Sequence, residues 1–290
     1  MCLEDYRKAG KIAGKARDLG CEIVKEGLPV LELAERVEAY IIEQGADLAF
    51  PVNIDINDIA AHFTPTHDCD LKLKKGDVVK VDVGAQVNGY IGDTAATVEV
   101  GTSDNADLIK ASREALNAAL EVARPGLSVN ILAGAVEDMI KSRGYLPVHN
   151  LTGHQVDQYI IHAGFSVPSI RTMNTDRLPN KGAIAIEPFA TNGSAGEVTN
   201  GPIGNIYRLQ RVVPKQKDIM EQLVQRTRGL PFSERLCHSI TEKSEKHLKR
   251  WSRMRAVYAY PILVERTGGM VSQTEHTIWL EGDGCEILTK

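Results

Sequence analysis

The sequence predicts a mixed α/β (α+β) fold with an internal pseudo-twofold duplication and one inserted, mainly helical block. Three observations carry this. A shift of 99 residues lays segment 27–45 on segment 126–144, with Gly27, Leu28, Val30, Leu33, Ala34, Val37, Glu38, Ile41 and Gly45 identical to their partners. The run VVKVDVGAQVNGYIGDTAATVEV at 78–100 sets two β-type stretches about Asn88-Gly89, the dipeptide best suited to a two-residue hairpin because both turn positions need φ > 0. A charged helical block from Pro214 to Arg255, broken at Gly229-Leu230-Pro231-Phe232 with a helix start at Ser233-Glu234, shares neither pattern.

Taken in order, residues 4–26 have apolar positions at helical spacing (Ile12, Ala16, Leu19, Ile23), stopped by Gly27-Leu28-Pro29. Leu31 to Gln44 is a second helix, ended at Gly45 in the usual C′ role. In the hairpin, Val87 faces Tyr90 and Asp82 faces Ala95. Side chains alternate along a strand, so Asp82 and Asp93 become diagonal neighbours on one face, while Val79, Val81 and Val83 turn to a core. Helices follow at Asn105–Ala123 and Val129–Arg143. Lys181-Gly182-Ala183 then repeats the punctuation of Lys75-Gly76-Asp77, and the strand after it carries Glu187 as the first carries Asp82. Two helical units, each followed by an acid-bearing strand, place the acids near a common axis.

His154 and His162 are eight residues apart; an extended segment would put them on one face, and a loop leaves that open. Residues 192–206, rich in Gly and Asn, read as a loop. Strands are expected at Tyr258–Leu263 and Val271–Leu280, the latter aligning Gln273, Glu275 and Thr277 on one face. The division is residues 1–190 plus 257–290 as the main domain and 191–256 as the insert. The insert carries Lys243, Lys246, Lys249, Arg250, Arg253 and Arg255, with His247 and Trp251 among them. A solvated helix face is the plain reading of that run and a ribosomal RNA contact the sharper one. His67-Asp68-Cys69-Asp70 reads as a solvated loop.

Net charge of −4 gives no global basic field and argues against DNA. Five scattered cysteines, none in C-x-x-C spacing, fit a reducing compartment and argue against a disulfide frame and a thiolate zinc site. No apolar run has membrane length and the N-terminus is polar, so a cytoplasmic protein is expected. The remaining chemistry lies in Asp82, Asp93, His154, Glu187 and Glu275. Four carboxylates and an imidazole suit first-row divalent ions better than a structural zinc. Left without cations, four such acids in a core would repel one another and protonate.

VDVG at 81–84, GDTAAT at 92–97, LTGH at 151–154, IEPFAT at 186–191 and TEHT at 274–277 resemble the successive metal-ligand motifs of the methionine aminopeptidases. AAHFTP at 60–65 resembles their substrate-contacting histidine motif. The long interval between Glu187 and Glu275 is similar to the insertion of the type 2 enzymes, in their short archaeal form. The resemblance implies the pita-bread fold and removal of the initiator methionine from nascent proteins when the second residue is small. It implies two divalent ions, Co, Mn, Fe or Zn. Asp82 would chelate one ion and Asp93 and Glu275 would bridge both, with His154 and Glu187 completing the ligands of the second ion. It implies Glu187 as general base, His62 on the leaving side of the scissile amide and His162 as polariser of the carbonyl. Phe50 and Tyr260 would line the substrate pocket, with a further residue from 205–207. The alternatives are a related proline-directed aminopeptidase or dipeptidase, or a non-catalytic pita-bread binding protein.

Overall fold

The structure is a computed structural model, described over residues 2–290. In chain order it runs α1 (Leu3–Ile23), α2 (Val30–Glu43), β1 (Asp47–Leu48), β2 (Asn53–Ile56) and β3 (Ile59–Ala61). The hairpin strands β4 (Val78–Val87) and β5 (Tyr90–Glu99) follow, then α3 (Ala106–Val122) and α4 (Val129–Ser142). Next are β6 (Leu146–Pro147), β7 (Thr152–Val156), β8 (Ser166–Pro168), β9 (Gly182–Ile186) and β10 (Phe189–Thr191). Then come β11 (Val198–Leu209), α5 (Lys217–Thr227), β12 (Phe232–Ser233), α6 (Glu234–His238) and α7 (Ser244–Arg253). The chain finishes with β13 (Val257–Glu265), β14 (Val271–Gln273), β15 (Glu275–Glu281) and β16 (Gly284–Ile287).

The hairpin forms as its turn dipeptide dictates. Asn88 and Gly89 both take positive φ, 52° and 87°, and Val87 pairs with Tyr90 and Asp82 with Ala95. This hairpin supplies two of the nine strands of the central sheet, whose order is β1-β4-β5-β15-β9-β7-β8, with β2 also on β4 and β16 on β15. The strand made late in the chain, β15, lies between β5 and β9.

The duplication is visible in three dimensions. Helices α2 and α4 begin and end at positions related by the 99-residue shift, and Gly45 and Gly144 follow them at φ 76° and 81°. Each packs the same positions into its own core. Leu33, Val37 and Ile41 meet Val79, Val81 and Val83 in one. Leu132, Val136 and Ile140 meet Ile184, Ile186 and Ile278 in the other. Each such side chain, fully buried, stabilises the fold by about 1.5–3 kcal/mol relative to exposure.

Three expectations are corrected. The first helix stops at Ile23 rather than continuing to 26. Residues 198–206 are strand, not loop: β11 pairs with β13 along its length, with register shifts between Asn200 and Ile203 and between Ile203 and Tyr207. Together with β12 and β3 they form a second sheet in the order β12-β11-β13-β3. The block 214–255 breaks after Gly229 as expected, with α5 before β12, α6 and α7 after it, and Ser233 capping α6 through its side chain. Finally, 271–280 is not one strand. It breaks at Thr274, so β14 joins β10 while β15 joins the central sheet. The chain likewise leaves β9 before Glu187 and resumes in β10.

The block between β11 and β13 has its own apolar cluster, including Met220, Leu223, Phe232, Leu248 and Trp251. Trp251 is fully buried, not part of a solvated face, and its Nε1 donates to Gln216 Oε1. The six basic residues around it remain exposed.

Candidate metal centre and active site

Five neighbouring strands bring one acid or imidazole each to the same place. Asp82 comes from β4, Asp93 from β5, Glu275 from the start of β15, Glu187 from just beyond β9, and His154 from β7. The registers align them. Ala95 faces Asp82 on one side and Glu275 on the other, and Ala185 faces both Thr277 and His154. Asp93, His154 and Glu275 each offer a ligand atom within 4.8 Å of the others. His154 Nε2 lies 3.6 Å from Asp93 Oδ2 and 3.7 Å from Glu187 Oε1.

The strand breaks are held by threonines of the GDTAAT run. Thr94 Oγ1 donates to Glu275 O at 2.7 Å, and Thr97 Oγ1 donates to Gln273 O at 2.6 Å. Thr277 Oγ1 accepts from Asp93 N at 2.9 Å and donates to Asp93 O at 2.8 Å. Backbone atoms next to the acids are therefore fixed from across the sheet. His276 turns to the other side, with its Nδ1 2.8 Å from Thr289 Oγ1, as strand alternation requires.

The electrostatics show what the residues lack. Burial pushes Asp82 up to about 7. Burial, and then the charge of Asp82, pushes Asp93 well above the usual carboxylate range. Glu187 is raised by burial and then by Asp93 and Asp82; Glu275 is raised by burial and then by Asp93, Glu187 and Asp82. His154 is driven down to about 3 by burial and the neighbouring His162. Among the described residues no lysine or arginine forms an ion pair with any of the four acids, and Asp82 Oδ1 is buried without a hydrogen-bond partner. Four crowded carboxylates, a neutral imidazole and no internal cation fit divalent metal ions with oxygen and nitrogen donors.

All nine residues singled out in the sequence line one cavity of about 260 Å³. Beside the five above these are Phe50, His62, His162 and Tyr260. His154 and His162 do not lie along one extended strand. The chain turns after β7 and returns, and the two rings come to 4.2 Å between centroids. His62 sits at φ 70°, a strained position for a non-glycine residue. Its Nδ1 is 3.1 Å from Pro261 O. A carbonyl only accepts, so Nδ1 carries the proton and Nε2 has a free lone pair. Burial lowers the pKa of both His62 and His162, with the charge of Arg208 adding to the effect on His162. The ring of Tyr260 meets His62 edge-on at 5.5 Å.

The sequence did not single out Asn53, Gln273 or the threonines as parts of the site. Asn53 pairs with Asp82 across β2–β4 and lines the cavity, and Gln273 Nε2 lies 3.4 Å from Asp82 Oδ2. The signal for Gln273 was its even spacing from Glu275; nothing local marks Asn53, whose pairing partner lies 29 positions on. Within 205–207, Ile206 is the residue that reaches the cavity, beside Pro231.

Comparison with known proteins agrees with this geometry. The model of metallopeptidase family M24 matches residues 4–240. The chain is 40% identical over 298 residues to the methionine aminopeptidase of Methanothermobacter thermautotrophicus, covering 99% of both. It is 41% identical over 297 residues to that of Pyrococcus abyssi, covering 100% of both. The fold is similar to the crystal structure of methionine aminopeptidase from Thermotoga maritima, with a TM-score of 0.73 at 22% identity over 99% of this chain and 96% of that one. The chain belongs to metallopeptidase family M24 and, within it, to the methionine aminopeptidases.

Proposed function

We propose that the protein removes the initiator methionine from nascent polypeptides by metal-assisted hydrolysis of the first peptide bond when the second residue is small. The observation that carries this is the meeting of five ligand-type side chains, one per neighbouring strand, with two low-pKa histidines and an aromatic wall in one cavity.

Asp82, Asp93, His154, Glu187 and Glu275 would hold two divalent ions drawn from Co, Mn, Fe or Zn. When bound, such ions supply Lewis acidity and neutralise the crowded carboxylates. The protein groups then divide the work. Glu187 takes a proton from the attacking water and returns one to the leaving amine nitrogen as the C–N bond breaks. Neutral His162 donates to the carbonyl oxygen as it gains negative charge. His62, with Nδ1–H held by Pro261 O, presents Nε2 as an acceptor for the scissile amide N–H. Phe50, Ile206 and Tyr260 wall the methionine side chain.

The catalytic part is read as residues 1–190 with 257–290 and the insert as 191–256. The apolar cluster of the insert supports that division, and Ile206 and Pro231 would be its contribution to the pocket. The exposed basic side chains around α7 would face ribosomal RNA, which suits a cytoplasmic enzyme acting on emerging chains. No helix among the described residues is long and apolar enough to cross a membrane.

The test is release of methionine from Met-Ala-Ser peptide with and without a chelator. Metal-dependent release is expected. Absence of release with every candidate metal, or preference for an X-Pro peptide, overturns the reading.

A further inference from the structure

A second group of metal-ligating side chains lies outside the cavity. His67, Glu234 and His238 each offer a ligand atom within 4.8 Å of the others. None of them lines the catalytic cavity. Glu234 and His238 are four apart on α6, a spacing that puts both on one helix face. His67 approaches from the loop that follows the His62 segment. Its Nδ1 is 3.0 Å from Glu234 Oε2 and its backbone N–H donates to the same oxygen at 3.1 Å. The hydroxyl of Ser244 donates to Glu234 Oε1 and lies 3.4 Å from His238 Nδ1. The imidazole rings of His67 and His238 stack at 3.6 Å with 10° between planes.

We propose that His67, Glu234 and His238 bind one divalent transition-metal ion, zinc in preference to magnesium or calcium, at a site separate from the catalytic centre. Two imidazoles and one carboxylate form a donor set typical of zinc, and the fourth position is left to water. The carboxylate is already oriented, since Glu234 is 2% exposed and its oxygens take bonds from Ser244 and the His67 backbone. The His67 side chain is 33% exposed, which leaves an entry path from solvent. Zinc bonds of about 2.0–2.1 Å put tetrahedral donors roughly 3.3 Å apart. The donors must therefore draw in, and one ring must turn out of the stack so that both lone pairs meet at one point. A hydrogen-bonded staple without metal is the competing account of the same contacts.

The ion would join the loop after His62 to the inserted block at a place where the two already touch. Arg235 donates to Thr64 Oγ1 at 3.0 Å and to Pro65 O. Asn205 Nδ2 donates to Thr64 O at 3.1 Å. Metal at this point cross-links residue 67 to residues 234 and 238 and resists their separation.

The experiment compares the chelator-stripped wild-type chain with His67→Ala and His238→Gln. Each is titrated with Zn²⁺ by calorimetry, and bound metal is counted after gel filtration. His238→Gln leaves the His67–Glu234 contact in place, so it guards against misfolding of the other variant. The expected result is one equivalent fewer in each variant. The zinc-dependent rise in Tm should be smaller than in the wild type, and peptidase activity at saturating Co²⁺ should stay within about twofold. Equal stoichiometry and equal affinities in all three proteins overturn the proposal. Because the readout is a difference in stoichiometry, it holds whatever reaction the catalytic centre performs.

Discussion

Asp82 and Asp93 show how far residue identities reach. Their placement as neighbours followed from Asn88-Gly89 alone, because a two-residue turn fixes the register and register fixes the face. What surrounds them was less legible. Gln273 reaches Asp82 from β14, a strand separated from β15 by the break at Thr274. Its amide would orient Asp82 as one of the proposed metal ligands, and loss of such a partner typically costs about 10–100-fold in metal affinity. Gln273→Leu is expected to weaken metal binding by roughly that factor while kcat at saturating metal changes far less. Calorimetry beside kinetics at two metal concentrations separates the two quantities.

Strand β11 carries the element-scale lesson. Its Gly and Asn content suggested a loop, but the glycines serve close backbone approach. A Cβ on Gly204 would stand 2.9 Å from Tyr260 O and 3.0 Å from His62 O. Both are backbone atoms of the segments that bring His62 and Tyr260 to the cavity. Gly204→Ala should force these segments apart at an overpacking cost of about 1–3 kcal/mol. The expected outcome is lower kcat/KM with unchanged metal stoichiometry, checked by kinetics and metal analysis. The start of α3 offers a second case. The end of β5 supplies its cap, since the Glu99 carboxylate accepts from Asn105 N at 2.8 Å and Asp104 N at 3.1 Å and from the Thr102 hydroxyl. Partial burial opposes ionisation of Glu99, but these bonds outweigh it and hold its pKa below the usual value. A depressed carboxyl contributes stability that is present above the unfolded pKa, about 4.3, and lost as pH falls through the lower folded value. Glu99→Ala is expected to cost about 1 kcal/mol at pH 7. The gap to wild type should close as the pH of the unfolding experiment drops below 4.

For the whole molecule, the duplication was readable because the repeat matched at core positions: Leu33, Val37 and Ile41 recur as Leu132, Val136 and Ile140. Strands β11 and β12 were not, because they obtain their stability from pairing with each other and with β13, a long-range property. The site was legible as motifs, while the threonine ties across the sheet needed the fold. The burial of four acids also sets the stability of the whole. Ions that bind only the folded state stabilise it by RT ln(1 + [L]/Kd), about 2.7 kcal/mol at one hundred times Kd. Chelation is therefore expected to lower Tm measurably, and re-addition of metal to restore it. A Tm indifferent to chelator would show that the acids are neutralised by protons alone.

The place of β15 between β5 and β9 has a consequence for how the chain matures during synthesis. It is the keystone of the central sheet, yet the ribosome delivers it after both of the strands it joins. Until then the two half-sheets present bare edges to each other, and bare edges invite wrong partners. Closure waits on a contact between residues about 180 apart, such as Glu275 with Ala95, and long-range pairing of this kind is slow. Catalytic competence therefore comes last, in a single closing event, and chains cut short before β15 should aggregate rather than keep partial activity.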